Sequence, residues 1–171
     1  ADIEDFETGT FSDFNWEFTG NAFWQADNDE AFQGNYSGKA GDIGENQQTA
    51  ISLELNVVEN SQVAFYKKVS CESTGSITGN YYDYLSFYID DIEQNKWAGE
   101  IGWSLEEYYI SEGWHILKWE YIKDGGVDSG LDTAWIDFIV LPNTNENLFG
   151  DINNDGLINI IDIVQLVDII I

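Results

Sequence analysis

The chain has 171 residues, enough for one well-buried domain plus an appendage and short of two full domains. Thirty-two acids face six bases, every base is Lys, and the net charge is −26 at pH 7. Such a surface repels nucleic acid, and without Arg it lacks the usual bidentate phosphate reader. It repels other copies of itself too, a repulsion that bound divalent cations or high ambient salt would relieve.

Ten Phe, nine Tyr and seven Trp, with one Pro and no Met, form a strand-building palette. The single Cys71 excludes an internal disulfide and is expected as a partly buried free thiol. No basic segment followed by an apolar one opens the chain, and no apolar run reaches the roughly 20 residues of a membrane span. A start at Ala1 suits a mature chain trimmed after a small residue, so a secreted, extracellular or cell-surface location is the expectation.

From Asp2 to Leu141 short alternating segments are broken by Gly, Asn and Asp. In TAISLELNVV, Ile51, Leu53, Leu55 and Val57 share one strand face; in YLSFYID the inward set is Leu85, Phe87 and Ile89. HILKWEY puts Leu117, Trp119 and Tyr121 on one side. AWIDFIVL gives Trp135 and Asp137 one parity and Ile136, Phe138 and Val140 the other. Period-two runs at this spacing predict an antiparallel β-sandwich, and no run before residue 158 has helical periodicity. The only proline, Pro142, follows the last strand, and PNTNENLFG reads as a linker. The expected division is a sandwich over 1–141, a linker over 142–149 and a C-terminal segment over 150–171.

The opening DFETGTFSDFNWEFTGNAFWQAD and the closing AWIDFIVL resemble the first and last strands of MAM-type and related carbohydrate-module jelly rolls, a concanavalin-like architecture. That resemblance implies a structural cation held between first and last strands, for which Glu7 and Asp137 match, with Asp5 a third candidate. MAM domains usually carry disulfides, which this chain cannot form. Trp97, Trp103 and Trp114 fall near predicted turns, where exposed indoles could stack on sugar rings. Catalysis finds no such support: the single His115 lies in a strand-like run, and Glu106 and Glu107, adjacent on a strand, face opposite ways.

In GDINNDGLINIIDIVQLVDIII, Asp151, Asn153, Asp155, Gly156, Leu157, Asn159 and Asp162 occupy positions 1, 3, 5, 6, 7, 9 and 12 of a twelve-residue loop. Alternate side-chain oxygens converge on one cation, Gly156 allows the sharp turn, Leu157 supplies a carbonyl, and Asp162 closes the shell from the first turn of a helix. An all-oxygen set with flexible geometry selects Ca²⁺. The stretch 150–167 resembles a single type I dockerin repeat of secreted bacterial proteins. Dockerins carry two such repeats and bind cohesin domains; with one repeat, half of that docking surface is missing.

Beyond the loop Ile160, Ile161, Ile163, Val164, Leu166, Val167, Ile169, Ile170 and Ile171 leave a predicted helix apolar nearly all round, so it must be covered. Its cover is its own sandwich, a second repeat beyond this sequence, or a neighbouring molecule. The expectation taken forward is a non-catalytic calcium-binding module whose C-terminal helix docks into another copy, building a homopolymer or surface assembly. The alternative is a carbohydrate-binding or adhesion module with a docking tail, part of a larger extracellular enzyme system. Copies of itself, a cohesin-like domain or a glycan are the partners considered.

Overall fold

The computed structural model describes residues 2–75 and 77–144, and every element among them is a strand. The strands are β1 Ile3–Glu4, β2 Glu17–Gly20, β3 Gln25–Asp27, β4 Ser37–Lys39, β5 Gln48–Val57, β6 Ser61–Ser70, β7 Tyr84–Ile89, β8 Ile92–Trp97, β9 Glu100–Ile110, β10 Gly113–Ile122 and β11 Thr133–Val140. They form two antiparallel sheets. One runs β3-β4-β11-β6-β9, with β1 also on β11; the other runs β2-β5-β10-β7-β8. Each sheet centre is occupied by a late strand, β11 between β4 and β6, β10 between β5 and β7. These are the crossed connections of a jelly-roll sandwich, as the alternation predicted.

The core lies between the sheets and is built from the predicted inward sets. Ile51, Leu53, Leu55 and Val57 are buried from β5, Leu85, Phe87 and Ile89 from β7, and Leu117, Trp119 and Tyr121 from β10. Trp119 is the hub, with ring centroids 4.9 Å from Phe87, 5.3 Å from Phe65 and 5.8 Å from Trp16. Burying one such ring contributes about 1.5–3 kcal/mol relative to exposure, before its geometric preference is added.

β11 departs from the expected parity. Ile136 is buried in the core, but Phe138 and Val140, placed on the same face by simple alternation, are only half-buried, and Ile139 and Leu141 are buried in their place. The cause is a β-bulge: pairing with β6 shifts register between Asp137 and Val140, and Phe138 takes a left-handed φ of 47°. An extra residue in one strand flips everything after it to the other face. Simple alternation therefore fails from Asp137 onward, the residue the bulge re-aims.

The last strand ends at Val140. Leu141 is still core and donates its N–H to Asp2 O at 2.9 Å. Residues 143–144 then run beside the end of β5, where Val57 bridges to Thr144 and Val58 N donates to Asn143 O at 3.1 Å. The remainder of the expected linker, the calcium loop from Asp151 to Asp162 and the apolar set from Ile160 to Ile171 lie outside the described residues.

Candidate functional site

Glu7 and Asp137 share one task. Both grip the loop between β3 and β4. Asp137 Oδ2 accepts from Phe32 N at 2.8 Å and Gln33 N at 3.1 Å, and its Oδ1 from Phe138 N at 2.7 Å. Glu7 Oε1 accepts from Asn35 N at 2.6 Å and Tyr36 N at 2.8 Å, and its Oε2 from Asn35 Nδ2 at 3.0 Å. The Glu7 carboxylate lies where a Cβ on Gly34 would stand, and Gly34 has φ +73°, so only glycine fits beneath it. Burial pushes Asp137 up to about 6, the backbone donors pull it down, and the charge of Glu7 pushes it up again. Glu7 is lowered, by the N–H groups of Asn35 and Tyr36 first.

Asp5 is not the third member of that pair. Its Oδ1 accepts from Glu7 N at 3.2 Å, while its carboxylate gathers with those of Glu4 and Asp13. Glu4 is fully buried and bonded at both oxygens, by Phe6 N at 2.9 Å and Trp16 Nε1 at 3.0 Å. N–H donors thus account for Glu4, Glu7 and Asp137 as structural carboxylates. Their all-oxygen chemistry is compatible with a hard cation, but the three predicted residues do not converge as one ligand set.

The three tryptophans separate. Trp97 is 8% exposed, packed in the core with Lys67 Nζ 5.0 Å from its ring centroid, so it offers no sugar platform; its place at a strand end misled the sequence argument. Trp103 is half-buried on β9, 6.3 Å from Phe32, which itself stacks on Tyr66 at 3.4 Å. Trp114 is 62% exposed, on the other sheet. No common site contains all three.

His115 sits between an Asp and a Ser at two turns. Nδ1 lies 2.7 Å from Asp90 Oδ2, and Nε2 lies 3.3 Å from Ser111 Oγ. Nε2 is closer, at 3.0 Å, to the backbone carbonyl of Ser111, which can only accept. The group is a staple between the β7–β8 and β9–β10 turns. Cys71, buried and bonded to Asp83 O at 3.2 Å, has its thiol pushed up to about 11 by burial and is an inert core thiol.

A row of residues that the sequence argument passed over forms the most developed surface. Tyr84 and Tyr88 are the half-buried outward members of β7, alternating with buried Leu85, Phe87 and Ile89; Ser86 has the same parity but is covered completely. β10 sets Lys118 beside Tyr88 and Glu120 beside Ser86; β5 adds Ser52 beside Lys118. Lys118 Nζ lies 4.4 Å from the Tyr88 ring centroid, and Lys96 Nζ lies 5.4 Å from Tyr84 and 5.0 Å from Tyr81. Ser86 Oγ donates to Glu93 Oε2 at 3.1 Å. Next to this row an open depression of about 490 Å³ is lined by Gly79, Asn80, Tyr81, Tyr82, Tyr84 and Lys96. Cations over the rings hold the tyrosines in fixed planes. The signal was available in DYLSFYID: once Leu85, Phe87 and Ile89 are assigned inward, Tyr84, Ser86 and Tyr88 must face out.

No protein-family model matches the sequence, and no curated protein matches it. Solved structures share its fold. The K1 cleaved adhesin domain of Lys-gingipain from Porphyromonas gingivalis W83 has a TM-score of 0.56 at 12% identity, covering 82% of this chain and 97% of that one. The K3 cleaved adhesin domain of the same protein gives 0.55 at 12% identity, covering 80% and 94%. The CBM22-1 xylan-binding domain of Xyn10C from Paenibacillus barcinonensis gives 0.52 at 17% identity, covering 80% and 89%. The chain is thus a jelly-roll sandwich of the architecture used by carbohydrate-binding modules and adhesin domains.

Proposed function

We propose that this chain is a non-catalytic, extracellular saccharide-binding module that engages glycan on the outer face of the β2-β5-β10-β7-β8 sheet. The observation that carries it is the outward pair Tyr84 and Tyr88 on β7, beside Lys118 and Glu120 of β10. Ring faces for stacking stand there beside carboxylate and ammonium groups, the mixture that recognises a sugar's apolar face and its hydroxyls together. The two tyrosines are four residues apart, about 13 Å along a strand, long enough for more than one pyranose ring. The shared architecture with a xylan-binding domain and with adhesin domains supports the same reading.

A glycan array followed by calorimetry tests it. Tyr84→Ala and Tyr88→Ala are each expected to weaken binding by about tenfold, or about 1.4 kcal/mol. Absence of saturable binding across neutral and acidic glycans refutes the proposal; loss on Trp103→Ala with both tyrosine variants unaffected moves the site to the other sheet.

Calcium at Asp151, Asn153, Asp155, Leu157, Asn159 and Asp162 belongs to the same proposal, as a separate site that orders the C-terminal segment. Asp151→Ala with Asp155→Ala is expected to abolish calorimetric Ca²⁺ binding there; an unchanged isotherm removes the site. Docking of that segment into a neighbouring copy, or onto a cohesin-like domain, rests on the sequence of residues 150–171 and stands second to glycan binding.

A further inference from the structure

The tyrosine row is not the only feature of its sheet face. At the opposite end the same face carries Trp114, 62% exposed, and Ile116, 43% exposed, on alternate positions of β10. Val58, also exposed, directly follows β5, and Trp114 is paired in register with Asn56. Side chains paired across antiparallel strands share a face, and the next position along is a diagonal neighbour. Val58, Trp114 and Ile116 therefore lie together at one corner, rimmed by Glu54 and Asp90. An exposed indole flanked by two aliphatic side chains is a patch that wants a cover.

The chain itself leaves the sandwich at this corner. β2 pairs with β5 only over residues 49–52, so beyond that point one edge of β5 is not covered by β2. Residues 143–144 take that edge: Val57 bridges to Thr144 on one side and pairs with Gly113 of β10 on the other. With strands about 4.8 Å apart, Thr144 stands roughly 10 Å from the start of β10. Asn143 Nδ2 fixes the exit by donating to Glu59 Oε1 at 3.3 Å. Fifteen residues lie between Thr144 and Ile160, a reach of up to about 50 Å in extended form, several times what is needed.

We infer that the apolar C-terminal segment, residues 160–171, covers the Val58–Trp114–Ile116 corner of its own sandwich. Nine of its twelve residues are Ile, Val or Leu, and its two charges, Asp162 and Asp168, match nothing in the acidic rim, so the contact is made by apolar side chains. Two considerations favour the same chain over a second copy. A short tether holds the segment beside its own patch at millimolar effective concentration. A second copy must first approach against a net charge of −26 on each molecule, whereas the tethered segment has no such encounter to make.

This inference is independent of glycan binding, since the corner is distinct from the tyrosine row. The test uses the full chain in millimolar calcium with the photo-crosslinker p-benzoylphenylalanine in place of Trp114, as an equal mixture of isotopically light and heavy protein. The expected product is a crosslink from position 114 to residues 160–171 in which both peptides carry the same label. The same crosslinker at Tyr109, 65% exposed on the other sheet, should give no such product. Mixed-label crosslinks to 160–171 overturn the inference in favour of docking between copies. Absence of any crosslink to that segment overturns it outright.

Discussion

Two clusters of acid, each built round one buried carboxylate, sit in this very acidic sandwich, and they are held in opposite ways. At the β11 bulge Asp137 is fully buried and gripped by three backbone N–H groups, with Glu7 nearby and no lysine bonded to it among the described residues. Beyond β10, the ammonium of buried Lys123 binds Asp128 Oδ1 at 2.7 Å and Asp132 Oδ2, while Tyr121 donates to Asp132 at 3.1 Å. Asp83 completes that second cluster with a single N–H, from Asp124, at 3.0 Å. N–H donors fix a carboxylate's position but leave its charge in place. A lysine neutralises only the oxygens it touches: Asp128 is lowered by Lys123, whereas Asp83 is pushed up to about 6, by burial first and then by Asp132.

The sharpest way to break this contrast is to remove the cation. Lys123→Met leaves Asp132, only 20% exposed, without its counterion, which destabilises the fold, whereas Asp128, 66% exposed, is solvated in its place. The denaturant midpoint should fall accordingly, and adding Asp132→Asn should recover part of the loss. A Lys123→Met chain as stable as the parent would mean that the loop at 124–132 is held by something else.

Next in size is pH. Asp137 and Asp83 are raised in the folded state, to about 6 each, so folding stability is fully present below their unfolded value near 4 and is lost as pH rises through 6. For Asp137 the loss is on the order of 2–3 kcal/mol, and Asp83 acts in the same direction. Glu7, Asp90 and Asp128 are lowered, so their contributions are present above the unfolded carboxylate value and are lost only as pH falls below it. Stability at low salt should therefore be higher at about pH 4.5 than at 7, below the usual optimum. Asp137→Asn should flatten the decline between pH 4 and 6; an unchanged slope would show that Asp137 titrates as an ordinary carboxylate.

The sandwich was legible because its strands alternate plainly. β5, β7 and β10 buried the residues assigned inward, since one apolar face per strand leaves no second register. β11 was not, because a bulge has no signature in hydrophobicity: nothing in AWIDFIVL marks Phe138 for a left-handed φ. Pairing of distant residues was equally hidden. Glu7 and Asp137 came to attention through resemblance, but their grip on residues 32–36 depends on which strands neighbour one another. Lys123 drew no attention because a Lys flanked by Ile and Asp looks solvated, and only the return of residues 128–132 encloses it. The tyrosine row was the outward half of a strand whose inward half was read correctly.

The smallest effect is expected at Glu7, and it is the most informative about metal. Gln at position 7 keeps one oxygen to accept from Asn35 N and Tyr36 N but sets an NH₂ against Asn35 Nδ2. If N–H donors alone hold the loop, Glu7→Gln should leave the global unfolding midpoint nearly unchanged, speed amide exchange at Asn35 and Tyr36, and do both equally with and without calcium. A cation shared by Glu7 and Asp137 would instead make the variant's defect appear only when calcium is present, because only the parent would gain stability from the ion. Measuring this in a background carrying Asp151→Asn and Asp155→Asn removes the predicted C-terminal loop from the comparison. A calcium-dependent difference there would turn the bulge from a backbone clamp into a metal site; its absence would leave N–H donors as the whole hold on Glu7 and Asp137.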